Sequence, residues 1–449
     1  MKAVPFLTVL AVLPVFLACK REPQPLPTDT VIYSAFTHMP LPSMDVAVNG
    51  VPSGATPEDG VVSTSGSFLS DIIVPTELQW SYEGTYRHEY ETRVKQQYAA
   101  TKIPTPNDSA GTAFLLSLQN GAGLLPSVEG GTLVSTYDQA LAAIAFVATG
   151  HHEAAAAIFE FFDSQSASEL QAAPGGFYQF RSPEGVPTGR RWMGDNAWLL
   201  IALNNYVHAT HDHQFDPLAN GLEQWLRTLV DTTDGGLWGG YDEQGNRIHK
   251  VTEGNIDAFA ALYLDQQMRQ GIASHLRSEK WDSIEGNFMA WPTNPNYTYA
   301  LDCYTWGHNA FPQFNAVSRS EVSKFALQKT SAATGLLLEG YCFDEDLDVI
   351  WLEGTAQVAS MYWVGADQEL AEKVLAELDK AWATTPSGQR GLPYSANAGT
   401  SYGADPLWST APTHPCISST AWYLMASYRH NPLWHSRGML LPEEEMYWK

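Results

Sequence analysis

Apolar residues in this chain follow two regimes. From about Asn107 onward they recur at three- and four-residue spacing, the period of an amphipathic helix, and the helical stretches come in pairs. Tyr137 to Thr149 predicts one helix, with His152 to Phe162 as its partner beyond Gly150. Asn196 to Thr210 pairs with Leu218 to Val230, and Glu253 to Gln270 with Ser274 to Phe288. A weaker fourth pair starts at Pro312 and includes Val322 to Ala332. Thr355 to Val364 and Leu370 to Ala383 form a fifth, and Cys416 to Tyr428 closes the series. Long Gly/Pro/aromatic connections such as Pro174 to Arg191 and Pro386 to Pro415 separate the pairs, and loops of that length in a compact domain are usually functional. Before Pro106 the text changes. Val46 to Gly66 is rich in Val, Ser, Gly, Pro and Thr, Phe68 to Val74 fits a strand, and Tyr86 to Ala100 has a helical look. Residues 31–106 therefore read as an irregular or partly β leader ahead of a helical domain, 107–449.

The first helices of the pairs open alike. Ser135-Thr136-Tyr137-Asp138-Gln139-Ala140 is followed by Met193-Gly194-Asp195-Asn196-Ala197-Trp198, then Thr252-Glu253-Gly254-Asn255-Ile256-Asp257-Ala258. Leu352-Glu353-Gly354-Thr355-Ala356-Gln357 and Ser418-Ser419-Thr420-Ala421-Trp422 come later. Asp138, Asp195 and Glu253 are 57 and 58 residues apart, and Trp306-Gly307-His308-Asn309 falls where the next opening is due. A helix pair repeated at near-constant spacing is the signature of a helical array that can close on itself. The expected fold is all-α: a ring of six helical hairpins, the first helix of each lining the centre, with all their N-termini on one face. A lone acid at a helix start is a cap or a dipole partner, whereas several on one rim make a site.

Composition narrows the partner. The 449 residues carry a net charge of −24, which argues against nucleic acid. Charged residues are only 16% of the chain, while tryptophan alone occurs fifteen times. Aromatic faces with little charge suit neutral carbohydrate, whose rings stack and whose hydroxyls hydrogen-bond. Residues 1–18 read as a secretory signal, with Lys2, an apolar run and then Phe16-Leu17-Ala18-Cys19. Leu17-Ala18-Cys19 resembles a bacterial lipoprotein cleavage box, despite Phe16 where leucine is usual, and implies lipidation at Cys19. Residues 19–30 would be a polar, Pro-rich tether, and no aspartate follows the cysteine, so an outer-membrane lipoprotein of the cell envelope is expected. The membrane is then reached through the lipid alone. Cys303, Cys342 and Cys416 have no metal or redox spacing and read as buried thiols.

Tyr137-Asp138-Gln139-Ala140, Gly194-Asp195-Asn196-Ala197-Trp198, Thr252-Glu253-Gly254-Asn255 and Leu352-Glu353-Gly354-Thr355-Ala356-Gln357 together resemble the six-hairpin glycosidase superfamily, the (α/α)6 toroids. The resemblance covers roughly Asn107 to His435 and points to no single family within it. It implies a sugar-binding cleft on the open face, with two carboxylates acting in glycosidic-bond hydrolysis. Inversion is implied because many toroid hydrolases invert.

Such chemistry needs one carboxylic acid to protonate the leaving oxygen and a second carboxylate on the other side of the ring. The candidates are Glu253, Asp138, Asp195 and Glu353, with Asp257 behind Glu253. Glu253 is expected as general acid, its pKa raised by a neighbouring carboxylate, and Asp138 as the base that orients water. Tyr137, Trp192, Trp238, Trp306 and Trp351 are candidate sugar platforms; Arg191, Asn255, Asp257 and His308 complete the candidate binding set. Arg190 and Arg191 beside Trp192 could also bind an acidic sugar or pair with surface carboxylates. Gly399-Thr400-Ser401-Tyr402-Gly403 matches a nucleophile-elbow pattern without the preceding strand. His208, His211 and His213 lack a metal motif, and Asp344, Asp346 and Asp348 alternate like calcium-loop acids with the wrong flanking residues. No cofactor or metal is expected. The reading is a monomeric glycoside hydrolase acting on an oligo- or polysaccharide. Its rivals are an epimerase or lyase using His308, His414 and Tyr137, and a non-catalytic glycan-binding lipoprotein.

Overall fold

The computed structural model describes residues 105–293, 297–311, 314, 316–399, 411–438 and 446–448, together with short strands between Asp29 and Gln96. The signal segment, Cys19 and residues 400–403 lie outside the described residues. The leader strands pair antiparallel with one another: Asp29–Val31 with Val61–Ser63, Asp45–Val48 with Val51–Ala55 and Ile72–Ile73, and Trp80–Glu83 with Arg93–Gln96. The last pairing replaces part of the helix expected over Tyr86 to Ala100.

Twelve α-helices follow among the described residues. They are α1 Pro106–Leu118, α2 Thr136–Ala148, α3 His152–Gln165, α4 Met193–Thr210, α5 Asp216–Thr228 and α6 Thr252–Ala261. The chain continues with α7 Gln266–Glu279, α8 Leu301–Ala310, α9 Ala316–Ser320, α10 Leu352–Val364, α11 Gln368–Leu378 and α12 Ile417–Ser427. The even-numbered helices pack each against the next, and α12 packs against α2, so they close a ring. Outside it, α3 lies on α2, α5 on α4, α7 on α6, α11 on α10 and α1 on α12. The fold is the expected (α/α)6 toroid. The sixth hairpin is assembled from the two ends of the domain.

Composition explains which helix faces where. An inner helix touches neighbours on every side, so it is apolar or small all round, as in Ala140-Leu141-Ala142-Ala143-Ile144-Ala145-Phe146 of α2, every one fully buried. An outer helix buries a single stripe: Leu218, Leu222, Trp225 and Leu226 of α5. Two expectations are corrected. Glu253 to Gln270 is not one helix, because Asp265 caps a new helix by accepting the backbone N–H of Met268. The fourth pair does not start at Pro312; its inner helix is Leu301–Ala310. Ala326–Thr330, in the expected partner, is a strand paired with Leu337–Tyr341, and its exposure alternates residue by residue.

The closure by α1 is testable. Phe114 of α1 is fully buried, and a Cβ on Gly111 would lie 2.9 Å from the Trp382 ring. Phe114→Ala is expected to lower unfolding free energy by about 3–5 kcal/mol, read from the urea midpoint. An unchanged midpoint would show that α1 does not complete the sixth hairpin with α12.

Candidate active site

The residues that precede the inner helices as N-caps set a common frame: Ser135, Trp192, Val251, Ala300, Trp351 and Cys416. Counting two residues on from each reaches Tyr137, Gly194, Glu253, Asp302, Glu353 and Ser418. These positions share one phase on six helices arranged in a ring, so they face a common centre. Contacts bear this out across large sequence distances. The Tyr137 hydroxyl donates to Glu353 Oε1 at 2.7 Å, and Ser418 also hydrogen-bonds that carboxylate. Glu253 and Asp302 bring a carboxylate oxygen each, with Cys303 Sγ, within 4.8 Å of one another. Gly194 supplies no side chain, and a Cβ there would stand 3.1 Å from Asp257 Oδ2.

One turn deeper, the same frame reaches Trp198, Asp257, Trp306, Gln357 and Trp422. Trp198 packs edge-on against Trp306 and Trp422, at 5.4 and 5.7 Å between centroids, and Tyr137 lies over Trp198 at 5.4 Å. The indoles floor the ring and shut water out from below. Trp422 donates to the Tyr137 hydroxyl at 3.2 Å, and Gln357 to Glu353 Oε1 at 3.3 Å.

Buried amides hold the loops around this mouth. Asn196 clamps the backbone N–H and carbonyl of Phe177; Asn255 does the same to Leu237, and Gln139 to Leu125. Asn196 and Asn255 also cap back to the carbonyls of Trp192 and Val251, four residues earlier. The likeness of the helix openings is thus largely the likeness of these clamps. Asn255 is fully buried in that role.

Charge at the mouth is held partly as protons. Burial, then the Glu253 and Asp302 charges, push the Asp257 carboxyl well above its ordinary range. Asp302 is raised likewise by burial and then by Glu253, and it also feels Glu353, so it stands electrostatically between the two glutamates. Burial lifts Glu353 from an ordinary 4.5 to about 7, against the hydrogen bonds from Tyr137, Ser418 and Gln357. Glu253 is the half-buried member; Tyr297 donates to its Oε1 at 3.2 Å, and Lys280 lies within its electrostatic reach.

The other expected site residues distribute as follows. Asp138 and Asp195 sit one residue beyond the ring-facing positions, about 100° further round their helices. Asp138 is fully buried and its charge acts on the Cys416 thiol, whereas Asp195 stays within reach of Asp257. Trp192 is half-buried at the mouth under the Arg190 guanidinium, 3.7 Å from its ring centre. Arg191 is buried and spends its guanidinium on the carbonyls of Glu169 and Gly176. Trp238 lies below Lys250 and Arg247 in the loop before α6. Trp351 is core, against Phe343. Trp306 belongs to the floor, and His308 is buried against Phe314 in the last turn of α8, away from the mouth. Asp302 was missed. It follows Glu253 by 49 residues rather than 57 or 58, because α6 is short, and constant spacing pointed past it.

Two groups have ligand-like spacing. At Glu253, Asp302 and Cys303 a cation would have to displace the protons of the buried pair and tolerate Lys280 nearby. The acids from Asp344 to Asp348 gather on the Cys342 thiol rather than around a calcium-loop centre, and Asp344 is pushed up to about 7 by burial and by Asp346.

No protein-family model and no curated protein matches this chain. Among solved structures, a wild-type glycosidase superposes with a TM-score of 0.50 at 13% identity, covering 72% of this chain and 95% of its own. A sugar epimerase from a ruminal bacterium gives 0.48 at 10% identity, over 71% of this chain and 95% of its own. A family 76 mannosidase from Bacteroides thetaiotaomicron gives 0.46 at 12%, over 72% and 96%. The toroid of this chain is the fold of the six-hairpin glycosidases.

The proton store has a thermodynamic signature. Glu353 favours its neutral form when folded, so it contributes stability that is complete below about pH 4.5 and is lost as pH rises through about 7. The span is worth up to about 3 kcal/mol, at about 1.4 kcal/mol per pH unit. Asp257 and Asp302 act in the same direction. Relative to wild type, Glu353→Gln should be more stable at pH 8 than at pH 5 by urea unfolding. An equal difference at both pH values would contradict the buried, raised carboxyl.

Proposed function

We propose that this chain is a glycoside hydrolase that cleaves an oligo- or polysaccharide with inversion, Glu353 donating the proton and Glu253 orienting the attacking water. The observation that carries this is the equivalence of the two glutamates: each stands two residues past its N-cap, on either side of Asp302. Glu253 was expected from sequence to donate the proton and Asp138 to orient the water; here Glu353 is the donor and Glu253 takes the place of Asp138. Where close carboxylates share charge, the proton settles on the more buried one. That is Asp302, only 6% exposed, while the half-buried Glu253 stands beside Lys280 and Tyr297. Glu353, with a value near 7, has the acidity a proton donor needs at neutral pH. A water-orienting carboxylate must reach water, which disfavours the fully buried Asp138 for that role.

The reading favours hydrolysis over epimerisation because the central positions carry carboxylates, whereas His308 sits at the far end of its helix. Placement in the bacterial envelope through a lipid on Cys19, as a monomer with carbohydrate as its partner, is part of the same proposal and rests on the sequence.

The test is reducing-sugar release from a panel of glycans. Glu253→Gln and Glu353→Gln should each lower kcat by about 10²–10⁴-fold, and Asp138→Asn far less. Full activity in both glutamine variants would sink the assignment, and binding without turnover in wild type would favour a glycan-binding protein. Tyr137→Phe removes a hydrogen bond that holds the Glu353 value down, so that value rises. Because the donor must be protonated, the alkaline limb of kcat/KM should move to higher pH in this variant.

A further inference from the structure

Two of the donors to Glu353 are themselves held from behind by neighbouring inner helices. Tyr137 donates its hydroxyl proton to Glu353 Oε1 at 2.7 Å, and its oxygen accepts the Trp422 indole N–H at 3.2 Å. An indole nitrogen only donates, so the tyrosine proton has one direction left. Gln357, one turn below Glu353 on α10, donates from Nε2 to the same carboxylate oxygen at 3.3 Å. Its other end, Oε1, accepts from the Thr305 hydroxyl on α8 at 2.9 Å. Thr305 and Gln357 are both fully buried, so bulk water cannot replace either partner.

A carboxamide presents a donor at one end and an acceptor at the other. Turned over, Gln357 would face Glu353 with Oε1, which repels a carboxylate and accepts from a carboxylic acid. The residue behind the amide decides which end faces Glu353, and that residue is Thr305. A threonine within a helix commonly returns its hydroxyl to the carbonyl three or four residues back. Here that acceptor is the Asp302 carbonyl oxygen, 3.3 Å away, and Gln357 Oε1 is the closer of the two. The hydroxyl has one proton, and the shorter contact takes it. Burying a hydroxyl is costly unless it is bonded, and valine would fill the same space, so packing alone does not call for threonine.

We propose that Thr305 is a positioning residue for Glu353: its hydroxyl fixes the Gln357 carboxamide with Nε2 towards the carboxylate, so the charge left when Glu353 gives up its proton is met by a donor. This rests on the reading of Glu353 as proton donor above. Thr305 acts only through Gln357, from three residues beyond Asp302. Without the hydroxyl, Oε1 loses its buried donor and the amide loses its preferred face. The hydrogen bond from Gln357 is one of those that hold the Glu353 value down, so weakening it lets that value rise.

The experiment is a carbon-13 NMR titration of the full chain labelled at the glutamate carboxyls, the Glu353 signal being identified by its loss in Glu353→Gln. Thr305→Val should move the Glu353 midpoint up by about half a pH unit or more, towards its position in Gln357→Leu, and Thr305→Ser should restore it. In the unmutated chain the Gln357 side-chain nitrogen signal should shift with the same midpoint as the Glu353 carboxyl. On a glycan that the wild type hydrolyses, Thr305→Val should lower kcat about three- to tenfold with KM little changed, and carry the alkaline limb of kcat/KM to higher pH. A threonine that only fills the core would change the urea midpoint and leave both titrations where they are. An unmoved Glu353 midpoint in Thr305→Val, a serine variant that behaves as the valine one, or a Gln357 nitrogen that ignores the Glu353 proton overturns the proposal. The last is read on the unmutated chain, so it decides even where the valine variant does not fold. A raised midpoint in a chain that hydrolyses no glycan would leave Thr305 in its role and remove the hydrolase. Hydrolysis through Glu353 with an unmoved midpoint would do the reverse.

Discussion

Six helices pointing their N-termini at one centre impose the constraint from which the rest follows. Each helix brings unsatisfied N–H groups and a partial positive charge to the mouth, which favours acidic side chains there. Side chains in the same phase on all six must then share a small space. Glu253, Asp302 and Glu353 meet it as carboxylates, Tyr137 and Ser418 as hydroxyls, and Gly194 by having no side chain at all. Full ionisation of so many acids in a buried space is costly, so burial and neighbouring charge push Asp302 and Asp257 well above the ordinary carboxyl range. The acid–base chemistry proposed here is a consequence of that crowding.

The floor and the clamps make the crowding sustainable. Trp198, Trp306 and Trp422 fill the centre one turn below, so the carboxylates cannot be hydrated from beneath. Asn196, Asn255 and Gln139 satisfy both hydrogen-bonding groups of a loop residue each. A buried amide replaced by an aliphatic residue would leave two backbone groups without partners, a steep cost. The mouth is therefore held at its base by these buried amides.

The two thiols nearest the acids are held in their neutral forms. Cys303 is raised well above its ordinary value and Cys416 up to about 12, burial being the main cause in both. Neither is poised as a nucleophile.

Much of this was written in the chain. The 3.6-residue period located five of the six inner helices, and the recurring openings signalled a closed array, because both depend on local patterning that survives any tertiary arrangement. The acids Glu253, Glu353 and Asp257 could be picked out for the same reason. What the sequence could not supply was phase. Asp138 and Glu253 look alike in a list of helix-opening acids, yet they stand at the third and second positions after their caps, and the single residue turns one away from the centre. Asp302 was hidden because spacing along the chain also counts the length of the inner helix, and α6 spans 10 residues where α4 spans 18. Helix α1 found its partner at the other end of the domain, in α12, a pairing no local period encodes. Which acids meet, and which of them keeps the proton, depends on burial and distance in three dimensions, and only the tertiary structure decides those.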